Sequence, residues 1–138
     1  MSRITLLAVG KIKNPHLKAL EEDYLERLSH YTRFQIRELK ENKFQFVPDD
    51  FVVAMDERGK SLTSVGLADF LREKQNRSVK NIVFVVGDAY ALDPAVKTRA
   101  NFTLTLSTLT LPHELARVLL LEQLYRAHTI LKNERYHH

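Results

Sequence analysis

His113 and Arg117 stand four residues apart just after Leu111-Pro112, and Glu122 and Arg126 repeat that spacing further on. Residues four apart share one face of an α-helix, so each pair presents its polar groups side by side. Proline suits a helix's first turn, where its missing N–H would lack an intrahelical partner anyway. Pro112 therefore marks a helix start, with Glu114 at its positive end. The stretch leading into it, Leu104-Thr-Leu-Ser-Thr-Leu-Thr-Leu111, has the composition of a strand. A strand that turns straight into a helix gathers outward-pointing backbone N–H groups, an imidazole and a guanidinium around one joint, which suits ligand binding. Plainer readings stand beside this one: His113 as an ordinary first-turn residue, and Arg126 as the ion-pair partner of Glu122.

Other chemistries find less support. The histidines, His16, His30, His113, His128, His137 and His138, form no compact metal-ligand pattern, so no metal is expected. His16 and His30 read as surface residues flanking the first helix. The chain has no cysteine, which excludes a disulfide framework, a thiolate metal site and a cysteine nucleophile. Ser107 lacks the flanking glycines of a nucleophile elbow, and Gly87 alone is far from the spaced glycines of a dinucleotide fingerprint. The plainer reading of Asp56-Glu57-Arg58 is a solvated turn.

The elements that position these residues follow from hydrophobic period. Ile4 to Val9 is a continuous apolar run, typical of a strand buried on both faces in a parallel sheet. Asn14 and Pro15 open a helix with Leu17, Leu20, Tyr24 and Leu28 along one side. Arg33 to Leu39 alternates as a strand, and Phe51 to Met55 is a third. A helix spans about Ser64 to Gln75, Asn81 to Val86 forms the fourth strand, Asp93-Pro94 opens a short helix, and Phe102 to Leu106 is the fifth strand. In the last helix the apolar residues from Leu115 to Leu131 point almost all round the axis, so it is buried on more than one side. Alternating strands and helices predict an α/β fold with a mainly parallel five-stranded sheet and helices on both faces. Ligands then bind beyond the carboxyl ends of the strands. Three loops qualify: Met55 to Gly59, Gly87 to Ala91 and Ser107 to Leu111. Lys40 to Asp50 is short for a helical crossover and is expected to run extended, with Phe44 and Phe46 packed on an edge.

A chain of 138 residues, 44% of them hydrophobic, suits a single domain spanning its whole length. The formal charge of +4 permits a nucleic-acid partner without indicating one. No apolar run approaches membrane-spanning length, and the N-terminus reads as strand and turn, not as a signal peptide, so a cytoplasmic location is expected.

Taken together, Leu6-Leu-Ala-Val-Gly-Lys11, Asp56-Glu-Arg-Gly-Lys60, Val83-Phe-Val-Val-Gly87, Leu106-Ser-Thr-Leu-Thr-Leu-Pro-His113, Ala116-Arg-Val-Leu-Leu120, Glu122-Gln-Leu-Tyr-Arg-Ala127 and Tyr136-His137 resemble the ribosomal RNA large-subunit pseudouridine N3-methyltransferases. These are small SPOUT, or α/β-knot, methyltransferases. The resemblance implies a deep C-terminal trefoil knot, an exception to the usual absence of knots, and a homodimer whose interface shares the apolar coat of the last helix. It also implies S-adenosyl-L-methionine as donor, N3 of a pseudouridine in large-subunit (23S) rRNA as acceptor, the assembled ribosome as partner, and no metal. By position, the donor would contact Met55, Gly87, Leu106, Ser107, Thr108, Leu109, Thr110 and Leu111. His137, beside Tyr136, is the first candidate to take or help take the N3 proton, with His113 second. Arg117, Arg126 and Arg135 are candidates for rRNA phosphates.

Three departures accompany the resemblance. Asp88 and Ala91 stand where the family usually has glycine, the Lys40 to Asp50 connection lacks about one helix, and Asn133-Glu134-Arg135 replaces a glycine- and proline-containing approach to the tail. A side chain at position 88 or 91 costs energy if the backbone there needs positive φ or lies against the donor. This leaves an alternative function: a knotted, dimeric RNA-binding protein with impaired donor binding.

Overall fold

The computed structural model describes residues 2–88 and 92–138. Within them the chain runs β1 (Arg3–Val9), α1 (Pro15–Ser29), β2 (Arg33–Leu39), β3 (Phe51–Ser61), α2 (Ser64–Asn76), β4 (Asn81–Val86), α3 (Pro94–Arg99), β5 (Phe102–Thr105) and α4 (His113–Leu131). The strands form one sheet in the order β2-β1-β4-β3-β5, and each neighbouring pair is parallel.

Alternation along the strands divides the core. Ile4, Leu6, Ala8, Val53, Ile82, Phe84, Val86 and Leu104 face one side, against Leu28 of α1, Leu67, Ala68 and Leu71 of α2, and Leu120, Leu121, Leu124 and Ala127 of α4. Leu7, Val52, Ala54, Val83 and Val85 face the other, against Leu92, Val96 of α3, and Phe44 and Phe46. The connections that run one way along the sheet, β1 to β2 and β3 to β4, carry α1 and α2 on the first side. Those that run the other way, β2 to β3 and β4 to β5, cross the second side. Right-handed crossovers require that direction and side switch together.

Local chemistry sets the helix starts. Asn14 Oδ1 accepts from the N–H groups of His16 (2.9 Å) and Leu17 (3.2 Å), with Pro15 following as the first helical residue. Thr63 caps α2 through Gly66 N (2.9 Å), and Asp93 caps α3 through Ala95 N (2.9 Å). At α4, Pro112 is itself the cap residue and His113 the first helical one. Glu114 Oε1 accepts from the backbone N–H of Lys13 and of Asn14, each at 3.1 Å, and so ties the start of α4 to the start of α1.

Two expectations change. The third strand does not end at Met55: both Met55 and Lys60 take Leu104 as partner, so residues 56–59 bulge out before pairing with β5 resumes. The fifth strand ends at Thr105 instead of Leu106. The apolar coat of α4 also finds cover within the chain, because α4 packs against α1 and α2 as well as the sheet. Leu120, Leu121 and Leu124 are fully buried, each worth about 1.5–3 kcal/mol before entropy. The Lys40 to Asp50 segment holds no helix and packs through Phe44 and Phe46, whose rings stack 6.4 Å apart.

Candidate active site

The bulge of β3, the carboxyl ends of β4 and β5 and the first turns of α4 line a cleft of about 460 Å³. This is where a parallel sheet places its ligands. Met55, Gly87, Leu106, Ser107, Leu109, Thr110 and Leu111 line it, and so does His113; Thr108 does not. The structure therefore brings most of the expected donor contacts together with one of the two histidines. Asp88 also lines the cleft, whereas Ala91 lies outside the described residues.

Short polar side chains shape the loop that leaves β5. Thr105 Oγ1 donates to Ser107 O (2.7 Å) and accepts from Ser107 N (3.2 Å), and Ser107 Oγ accepts from Leu109 N (2.9 Å). Successive hydroxyls thus replace regular backbone pairing and hold an irregular path. Thr110 Oγ1 then donates to Glu57 Oε2 (2.9 Å), which fastens the loop to the bulge of β3. Asp56, in the same bulge, accepts from Arg58 N (2.9 Å) and pairs with Lys97 of α3. The Lys97 ammonium above all, together with the Arg58 N–H, holds the Asp56 carboxyl below the usual carboxylate range. Asp56, Glu57 and Arg58 are thus cleft walls, as expected of the Met55 to Gly59 loop, although Glu57 and Arg58 stay exposed as in the plainer reading of a solvated turn. Lys97 had no signal in the sequence, since only the fold brings α3 beside the bulge.

A family model described as "Predicted SPOUT methyltransferase" matches residues 2–137. The chain belongs to the SPOUT methyltransferase family. Among its curated relatives, a protein of Nitratidesulfovibrio vulgaris is 42% identical over 155 positions, covering 100% of both chains. One from Gloeobacter violaceus is 39% identical over 152 positions and covers 99% of both. One from Flavobacterium psychrophilum is 36% identical over 154 positions and covers 98% of both. Each of the three is named ribosomal RNA large subunit methyltransferase H.

In this SPOUT methyltransferase the C-terminal candidates gather away from the cleft. Glu122 Oε2 accepts from Arg126 Nη2 (2.8 Å), Arg126 Nε (3.1 Å) and Tyr136 OH (2.9 Å). Arg126 Nη1 lies 3.1 Å from His137 Nδ1. Arginine has no acceptor, so Nδ1 accepts and the ring proton sits on Nε2. The Arg126 guanidinium also covers the Tyr136 ring, 4.8 Å from its centroid. Burial foremost, then hydrogen bonds with Tyr24 and Glu122, raises the Tyr136 phenol well above its usual range, which keeps it a neutral donor. Along α4 Glu122 lies nine residues beyond His113, a rise of about 14 Å. Tyr136, His137, Arg126 and Arg135 accordingly do not line the cleft.

The tail's path has a local cause. Asn133 takes φ of 56°, while its N–H bonds Ile130 O (3.1 Å) and that of Glu134 bonds Thr129 O (2.9 Å). This is a Schellman ending with asparagine in glycine's usual place. Tyr31 OH then donates to Glu134 Oε2 (2.6 Å).

Arg117 is 4% exposed. Its Nε faces Glu21 Oε2 at 2.7 Å, it pairs with Glu38 through Nη2, and Nη1 donates to Gly10 O at 3.2 Å. A guanidinium so enclosed offers no surface to an rRNA phosphate. The spacing with His113 gave it a helix face but could not reveal the carboxylates waiting on α1 and β2.

Proposed function

We propose that this chain methylates N3 of a pseudouridine in large-subunit (23S) rRNA, with S-adenosylmethionine as donor and the assembled ribosome as substrate. The carrying observation is end-to-end similarity to proteins named ribosomal RNA large subunit methyltransferase H, joined to a cleft at the carboxyl ends of the strands. The residues present fit the donor. The cleft volume is that of a small-ligand site, and Met55, Leu92, Leu106, Leu109 and Leu111 supply apolar walls for a purine ring. The 106–112 loop, which lies outside the sheet's regular pairing, supplies backbone polar groups for its edge. When bound, S-adenosylmethionine provides an electrophilic methyl group.

The chain's own contribution is to orient the acceptor, exclude water and take a proton. The Thr110–Glu57 and Asp56–Lys97 contacts hold the cleft walls in register. N3 of the base carries a proton that must leave, and we assign its acceptance to His113, the histidine in the cleft wall. Within one protomer, Tyr136 and His137 hold the tail against α4 and do not line the cleft. The same reading includes a single domain, a C-terminal trefoil knot, a homodimer and a cytoplasmic site of action on ribosomes.

The test is incubation of purified protein with labelled S-adenosylmethionine and unmodified 70S ribosomes, followed by nucleoside mass spectrometry. One methyl group on a pseudouridine of the large-subunit rRNA is expected. Methyl transfer to another nucleoside, or none, overturns the assignment. Light scattering at twice 16.0 kDa tests the dimer.

Asp88 in the cleft wall favours a second reading, RNA binding with impaired donor binding. Titration with S-adenosylhomocysteine separates the two. Saturable binding supports the enzyme, whereas absent binding that is rescued by Asp88→Gly supports the alternative.

A further inference from the structure

β2 reads Arg33, Phe34, Gln35, Ile36, Arg37, Glu38, Leu39. Phe34 and Ile36 pack on the side of the sheet that carries α1, α2 and α4, and Glu38, in phase with them, gives its carboxylate to Arg117. The strand's one acid is thus engaged by Arg117 on the helix-covered side, while Arg33, Gln35 and Arg37 are exposed on the opposite side. Register sets Arg3 of β1, also exposed, directly opposite Arg33, and Leu7 opposite Arg37. With strands about 4.8 Å apart and about 3.3 Å per residue, three arginine positions fall within a patch of roughly 5 by 13 Å. A depression of about 330 Å³ lined by Arg3, Arg33, Phe34 and Gln35 opens at its lower end.

Two features make this patch unusual. Parallel sheets are normally covered on both sides. Here α3 and the Phe44–Phe46 segment reach only as far as Leu7 of β1 and leave β2 bare. Like charges set opposite one another cost stability, and none of the three arginines has an ion-pair partner among the described residues. A bound anion would relieve that cost.

We propose that this bare half-face is a docking surface for the rRNA phosphate backbone, a role that rests on the methyltransferase reading above. Guanidinium groups match phosphate geometry. A second copy of the chain would bring the same cations to the same place. The large apolar side chains exposed among the described residues, Leu20, Val47, Val65, Leu109 and Leu119, all lie off β1 and β2, so the patch has nothing to insert into a membrane or an apolar interface. Arg3 is level with Asn81, and from there to Gly87 the sheet runs about 20 Å.

The test compares wild type with a combined Arg3→Gln, Arg33→Gln, Arg37→Gln variant, and with Arg72→Gln, Arg77→Gln, Lys132→Gln as a control of equal charge loss. Binding to 70S ribosomes is measured across salt concentrations, alongside the KM for ribosomes and titration with S-adenosylhomocysteine. The expected result for the first variant is binding weakened about tenfold or more and a log-affinity against log-salt slope reduced by about 2. Its S-adenosylhomocysteine affinity stays unchanged, its thermal midpoint does not fall because the facing charges are gone, and the control keeps the wild-type slope. A wild-type slope and KM in the first variant, an equal loss in the control, or no ribosome binding by wild type overturns the docking surface. If binding depends on these arginines but no methyl group is transferred, the surface stands and the methyltransferase reading falls.

Discussion

Gly59 lies so close to Leu104 that a Cβ upon it would stand 2.7 Å from the Leu104 carbonyl carbon and 2.9 Å from its nitrogen. Both neighbours are backbone, so neither can swing aside as a flexible side chain would. Gly59→Ala must push β5 away from the bulge of β3, at a cost of about 1–3 kcal/mol. Because β5 leads directly into the 106–112 loop, weaker S-adenosylhomocysteine binding should accompany the loss. Urea unfolding and calorimetric titration of the variant check both; unchanged values in both would show that the two strands are not held in register by this contact.

Arg117→Met should destabilise the protein by about 1–3 kcal/mol, because it leaves the carboxylate of Glu21, itself 2% exposed, with Lys18 as its one remaining ion-pair partner among the described residues. Adding Glu21→Gln should recover much of that loss. Denaturant midpoints of the single and double variants measure it. A variant with normal stability but a reduced salt dependence of ribosome binding would instead return Arg117 to the role of phosphate contact.

Why some of this was legible in the sequence and some was not comes down to range. The starts of α1 and α3 rest on Asn14-Pro15 and Asp93-Pro94, which act within a single turn, and both stand where expected. The buried strands declare themselves through unbroken apolar runs, and the place of the cleft follows from their parallel order. The bulge of β3 was hidden, because Asp56 to Lys60 has the composition of a turn and pairs only through contact with a strand far along the chain. The covering of α4 was hidden for the same reason. A coat of leucines says that a helix is buried, not whether its own α1 and α2 or another subunit buries it.

His128 should make stability depend on pH. It is 4% exposed, with Nδ1 2.7 Å from Leu124 O and Nε2 unpartnered among the described residues. Burial foremost lowers its pKa; Lys132 adds to this and the Leu124 carbonyl opposes it. The unfolded chain takes up a proton near the ordinary imidazole value of about 6.5, where the folded chain resists it. Below that pH the unfolded state therefore holds more protons, and stability falls as pH drops toward the lowered folded value. His128→Met removes this group from the balance. Relative to wild type it should gain stability on going from about pH 7.5 to about pH 5.5. A stability difference that stays constant across that range, measured by urea unfolding, would remove His128 from the pH response.

His113 and His137 can be told apart by their lone pairs. A proton acceptor needs a free one, and the His137 Nδ1 is engaged by Arg126 while its Nε2 carries the proton. His113 meets the requirement of place, standing in the cleft wall at the first turn of α4. His113→Asn is therefore expected to lower kcat by about 10²–10⁴-fold and to abolish the fall in rate on the acid side of the pH profile, since that fall reports protonation of the base. His137→Asn keeps an acceptor for Arg126 and should leave the acid limb in place with a much smaller loss. Tyr136→Phe gives up one hydrogen bond to Glu122, worth about 1 kcal/mol, and should act on stability more than on rate. If the acid limb vanishes in His137→Asn and survives in His113→Asn, the base sits on the tail. Catalysis would then require that the Arg126 contact open and that the tail reach either its own cleft, which it does not line, or that of a second copy.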